Sequence, residues 1–209
     1  MARRGTSRTT ELRARVADEA ARIIREQGIR DFLLAKRKAA ERLGVVDRHS
    51  LPANQEISDA LAAQQRLFGG ADHESNLRAL RETALEAMAL LEPFKPRLVG
   101  PVLAGTATEH SDVSLHLFAA APEEVAFLLL EHGIRYRSSE RRLRLASGEH
   151  ASFPSFEFDS DTVAIEAVVF PEQGLRQAPL CPISGGAMRR GRREEIEALV
   201  YPERRSIGT

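Results

Sequence analysis

The chain has 209 residues, 43% hydrophobic and 29% charged, and its 30 basic side chains balance 30 acidic ones. That composition is globular and excludes wholesale disorder, and no run approaches the ~18 apolar residues that a membrane span needs. The single cysteine, Cys181, excludes an internal disulfide framework and a multi-cysteine zinc site, and it fits a reducing compartment.

The N-terminal Met1-Ala-Arg-Arg-Gly is basic with no apolar stretch behind it, so no secretory signal is expected and a cytoplasmic location is. Leu12, Val16, Ala20 and Ile23 recur at helical spacing up to Gly28, a suitable C-cap. A second helix is expected from Asp31 to Leu43, stopped by Gly44. A third should start near Ser50-Leu51-Pro52 and end at Gly69-Gly70. A fourth carries Leu77, Leu80, Ala84, Met88 and Leu91, and ends at Pro93 and Pro96.

Charge is unevenly spread over these elements. Residues 1–50 hold 13 Arg/Lys against 7 Asp/Glu, and residues 51–134 hold 5 against 12. The basic segment suits phosphates or an acidic partner. It equally suits the acidic middle of its own chain or of a second copy, so a homo-oligomer is one expectation.

After Pro96 the period changes. Arg97 to Leu103 reads as a strand, followed by a turn region from Ala104 to Ser111. Asp112 to Phe118 alternates strictly, with Val113, Leu115 and Leu117 on one face and Asp112, Ser114 and His116 on the other. A helix over about 122–131, strands near 134–145, 153–158 and 162–170, and a last helix over about 192–201 complete the chain. The expected fold class is α+β: a helical N-terminal domain over residues 1–93 and a mixed-sheet domain over 94–209. Ser184-Gly-Gly186 with Met188-Arg-Arg190 lacks the lysine and spacing of a P-loop, and reads as a surface loop.

The stretch from Val99 to Phe118 is the informative one. It resembles the signature of the nucleotidyltransferase superfamily, the fold of polymerase-β-like and minimal bacterial enzymes: an apolar residue, Gly, then Gly or Ser, a gap of about ten residues, and an Asp–apolar–Asp/Glu–apolar strand. Val99-Gly100 matches the start, residues 102–111 fill the gap, and Gly105-Thr106 and Ser111-Asp112 also look like the family's elements. The resemblance covers roughly residues 95–172. It implies nucleotidyl transfer from an NTP through Mg²⁺, because two carboxylates two positions apart on one strand point the same way and can hold metal ions. It implies a third carboxylate on the last strand, for which Glu166 in its apolar run is the best candidate. Asp112 and Glu166 would be the catalytic and metal-binding groups, with His116 as a further ligand. Gly100, Gly105, Thr106 and Ser114 would line the phosphate site, and Arg137 and Arg142 would supply charge to the triphosphate.

The sequence departs from that pattern twice. Ser114 stands where the second carboxylate belongs and cannot bridge two cations. Pro101 stands at the Gly/Ser position and offers a phosphate neither an N–H nor a hydroxyl. A degenerate, weakly active or inactive relative that binds nucleotide, RNA or a partner is therefore the principal expectation. The alternative comes from residues 16–44, which look like the DNA-binding end of TetR-type repressors. That alternative requires a recognition helix between about Val45 and Leu51, where Pro52 interferes.

Overall fold

The computed structural model describes residues 2–29, 31–47 and 50–202, with side chains from residue 9 onward. It forms two compact units. One comprises residues 1–76 with 106–111 and 182–184, and the other residues 77–105, 112–181 and 185–209. The division falls between Asn76 and Leu77, inside a helix, whereas the sequence reading divides the chain after residue 93.

The first unit is helical. α1 (Ala2–Gln27) ends before Gly28, whose φ is +64°. α2 (Phe32–Arg42) is capped by Asp31, whose carboxylate accepts from the N–H groups of Leu33 and Leu34 at 2.7 and 3.3 Å. α3 (Asn54–Gln64) starts later than the sequence suggests, with Pro52 in the approach rather than the first turn. Glu56 reaches back to the N–H of Ala53 at 2.6 Å and satisfies one of the orphan donors at this end. Val16, Ala17, Ala20, Ile23 and Ile24 of α1 bury against Ala35 and Ala39 of α2 and Ile57 and Leu61 of α3. The helix break expected at Gly69-Gly70 is present, at the non-helical backbone of Gly70. A π-helical turn, Gln65–Gly69, extends α3 as far as this glycine, at φ 44°, ψ −144°, and α4 (Gly70–Leu90) starts from it. Buried Gln65 donates through Nε2 to the carbonyls of Thr106 and Ala107, at 3.1 and 2.8 Å. Thus the segment 106–111 is fixed to the helical unit.

The second unit is built on one mixed sheet in the order β1-β2-β5-β4-β3. β1 (Arg97–Val99) lies antiparallel to β2 (Val113–Ala119), and β2 lies parallel to β5 (Val163–Pro171). β4 (His150–Ser160) is antiparallel to β5 and to β3 (Tyr136–Arg144). The strand expected from Arg97 through Leu103 is corrected: it stops at Val99, and Gly100–Ala104 is a short helix, α5. An apolar run of this length has no period that separates strand from buried helix. α6 (Pro122–Glu131) connects β2 to β3, and α7 (Arg193–Val200) follows the sheet.

Alternation splits the sheet into two unlike faces. Val113, Leu115, Leu117, Ile165, Ala167, Val169, Phe156 and Phe158 are buried on one, the core face. Ala87 and Leu90 of α4 line a pocket of about 170 Å³ with Phe158 and Ile165 there. The other face carries the polar side chains.

Candidate functional site

Strand register sets one polar row across the whole sheet. Val99 pairs with Ser114, Ser114 with Glu166, Glu166 with Glu157, and Glu157 with Arg137. Partners in adjacent strands share a face, so these five residues form a line from β1 to β3. Gly100 opens α5 beside this line at φ +74°, and a Cβ there would stand 3.9 Å from Ser114 Oγ. Pro101 follows in the first helical turn, where its missing N–H costs nothing. Asp112 is half-buried immediately before β2, two positions upstream of Ser114.

Cations sit over the carboxylates of the row. Arg137 approaches Glu157 at 3.4 Å, and Arg141 reaches across β4 to Glu166, Nε to Oε1, at 3.5 Å. Arg142, which the sequence reading chose, has the opposite parity to Arg137 on β3, so it lies on the other face. Arg141 is the residue that was missed, although the same period-two rule selects it.

A second row lies next to the first: Arg97 pairs with His116, His116 with Val168, and Val168 with Ser155. His116 is only 3% exposed, and its ring centroid is 4.5 Å from that of Phe170. Arg190 donates from Nε to His116 Nδ1 at 3.0 Å and from Nη1 to the carbonyl of Gly174 at 2.7 Å. Its guanidinium also lies over the rings of Phe118 and Phe170, 4.9 and 4.8 Å from their centroids. Burial, reinforced by the Arg190 charge, pushes the imidazole pKa down to about 3. His116 is thus a neutral acceptor.

Arg190 belongs to a strap of the sheet unit, residues 177–181 and 185–191; the sequence reads the stretch from Ser184 to Arg190 as a surface loop. Leu180 N–H donates to the Arg144 carbonyl at 2.7 Å, at the end of β3. Gly191 exchanges two hydrogen bonds with Leu98 of β1, at 3.0 and 2.8 Å. No local sequence signal marks this docking, because the partners come from β1, β2 and β3.

Of the expected site residues, Gly100, Ser114, Glu166 and Arg137 lie on or beside one row, and His116 belongs to the next. Gly105 caps α5 at φ +81°, and Thr106 belongs to the helical unit through its bond to Gln65. Among the described residues, no group of three or more His, Cys, Asp and Glu side chains is arranged to hold a metal ion. In the helical unit, α3 contains Glu56 and Asp59 and no Lys or Arg. The segment proposed for a recognition helix is irregular at Val45–Asp47, and its Arg48 and His49 lie outside the described residues.

No protein-family model, curated protein or solved structure matches the chain. No helix among the described residues is long and apolar enough to cross a membrane.

Proposed function

We propose that the protein is a nucleotidyltransferase-like protein without efficient transfer activity, whose polar sheet face binds a nucleotide or an RNA phosphate. One observation carries this reading: Ser114, where the resemblance calls for a carboxylate, is the register partner of Glu166, and Glu166 faces the guanidinium of Arg141. β1 and β2 are neighbouring strands, which the resemblance expects, and Gly100 opens the short helix α5 between them. The charges differ from those of a two-metal centre.

The donor set suits Mg²⁺ poorly. Magnesium needs several hard oxygen ligands in near-octahedral order. Ser114 brings a neutral hydroxyl, Glu166 has a cation at 3.5 Å, and His116 Nδ1 is engaged by Arg190. What remains is recognition: Arg137 and Arg141 provide positive charge, Ser114 a hydroxyl, and the glycine turn a close backbone approach.

The test is an assay for nucleotidyl transfer from each common NTP with Mg²⁺ or Mn²⁺, run beside a binding titration of the same nucleotides. The expected result is no transfer by the wild type with weak, saturable binding. Transfer by the wild type that vanishes in Asp112→Ala would overturn the inactive reading. Absence of binding in both wild type and Ser114→Asp would overturn the ligand assignment. DNA reading is the less favoured function, since the helix following α2 carries acidic and no basic side chains.

A further inference from the structure

The edge of the sheet at β1 gathers three arginines. Leu98 and Gly191 face each other as an antiparallel bridge, so Arg97 stands opposite Arg192, and Arg190 opposite Val99. Leu98 is fully buried on the core face, which turns its neighbours to the other side. Two facts agree with that direction: Arg97 is the register partner of His116, and Arg190 bonds to the same His116.

Among the described residues, none of the three forms an ion pair with a carboxylate. Arg97 donates from Nη1 to the carbonyls of Lys95 and Pro96, at 3.1 and 2.8 Å. Arg190 satisfies Nε and Nη1, while its Nη2 is buried with no hydrogen-bond partner among the described residues. Burial, and then the proximity of Arg97, lowers the Arg190 pKa to about 10; burial, and then Arg192, lowers that of Arg97. Glu194 offsets part of this repulsion on Arg97 from beyond ion-pair distance. The neighbouring carboxylate Glu195 is taken by Arg189, and Glu197 by Arg193. His116 contributes no charge. Like charges gathered on one face, one of them half-buried with an N–H left over, favour an anion beside them.

We propose that Arg97, Arg190 and Arg192 form a binding site for a phosphate-type oxyanion, separate from the Ser114–Glu166 row. Guanidinium forks suit a tetrahedral dianion, which can accept from several of them at once. Arg192 is exposed and Arg97 half-buried, so solvent reaches the site from the β1 edge. Arg190 anchors its inner wall.

The probe is inorganic phosphate, with pyrophosphate as a second ligand and chloride at matched ionic strength as the control. Calorimetric titration and thermal melting are read for wild type, Arg97→Ala, Arg192→Glu, Arg137→Ala and, as the control outside both sites, Arg142→Ala. Arg192 is exposed, so Arg192→Glu is expected to stay folded even if Arg97→Ala does not. The expected result is saturable phosphate binding by the wild type, weakened at least tenfold in Arg97→Ala and Arg192→Glu and unchanged in Arg142→Ala. Tighter pyrophosphate binding would extend the ligand to a diphosphate group. No saturable binding by the wild type, or equal binding in Arg192→Glu, overturns the site. Nucleotide binding that is lost in Arg137→Ala while phosphate binding persists would separate this site from the one proposed above.

Discussion

Arg190 holds His116 in a single tautomer: its Nε donates to Nδ1 at 3.0 Å, so the ring proton sits on Nε2. The imidazole is then a buried acceptor whose protonation would place a second cation against the guanidinium. This links one side chain to acid stability. The folded pKa, about 3, is below the ordinary value of 6.5. The unfolded chain therefore binds the extra proton between those values, and stability falls as pH drops through that window. The limiting slope is about 1.4 kcal/mol per pH unit. Chemical denaturation at pH 7, 6 and 5 should show a loss of that order, and His116→Asn, which retains an acceptor without the proton site, should flatten the profile. An unchanged profile in His116→Asn would assign the acid sensitivity to other groups.

Arg190→Ala removes two hydrogen bonds and a cation lying over two aromatic rings, leaving Nδ1 of His116 and the Gly174 carbonyl without that donor. A loss of about 2–4 kcal/mol is expected. Arg190→Lys should recover little of it, because an ammonium cannot present two divergent N–H donors in one plane. Urea denaturation midpoints of the three proteins measure this, and full rescue by lysine would point to charge alone.

Gly100→Ala should cost about 1–2 kcal/mol through the backbone, since φ is +74°. A Cβ there meets nothing closer than 3.9 Å, so packing adds little. Gly100→Asn, a residue that tolerates this region, should cost less than alanine. The opposite order would show that side-chain space rather than φ decides the position.

Gly191→Ala tests close approach instead. A Cβ would fall 2.6 Å from Leu103 Cδ1 and 3.0 Å from Ile196 Cδ1, both in buried side chains. Overpacking of about 1–3 kcal/mol is expected, and the companion change Leu103→Ala should relieve part of the clash. Additive losses in the double variant would argue against the contact.

Arg141 and Arg142 differ only in parity. Arg141→Ala should weaken nucleotide binding by several-fold, and Arg142→Ala should leave it unchanged. Isothermal titration of the two variants decides the point, and equal effects would mean that the ligand does not use the Glu166 face.

The same parity rule explains what was legible in the sequence and what was not. Residues 122–131 read correctly as a helix because the apolar spacing, the leading Pro122 and the trailing Gly133 agree. The strand from Asp112 was legible in its alternation. Residues 97–103 were not, since Val99, Val102 and Leu103 suit a strand as well as a buried helical turn; only the Gly100-Pro101 pair marked the change. Within the candidate site, Asp112, Ser114 and Glu166 came from the resemblance to the nucleotidyltransferase signature, laid on the alternation of their strands. Arg141 needed the register of β3 against β4. Arg190 needed tertiary structure, because its partners His116, Phe118, Phe170 and Gly174 come from distant parts of the chain.

The bridge between Leu98 and Gly191 also bears on how the molecule behaves in a crowded solution. An open strand offers unpaired N–H and C=O groups on which another chain can template itself. Here the short outer strand has its central peptide groups occupied by the polypeptide's own return. The opposite margin, β3, places Arg137, Glu140, Arg141, Arg142 and Arg144 along nine residues, where an approaching strand would have to match or bury them. Neither margin is a ready template, which protects the folded protein against sheet-to-sheet polymerisation.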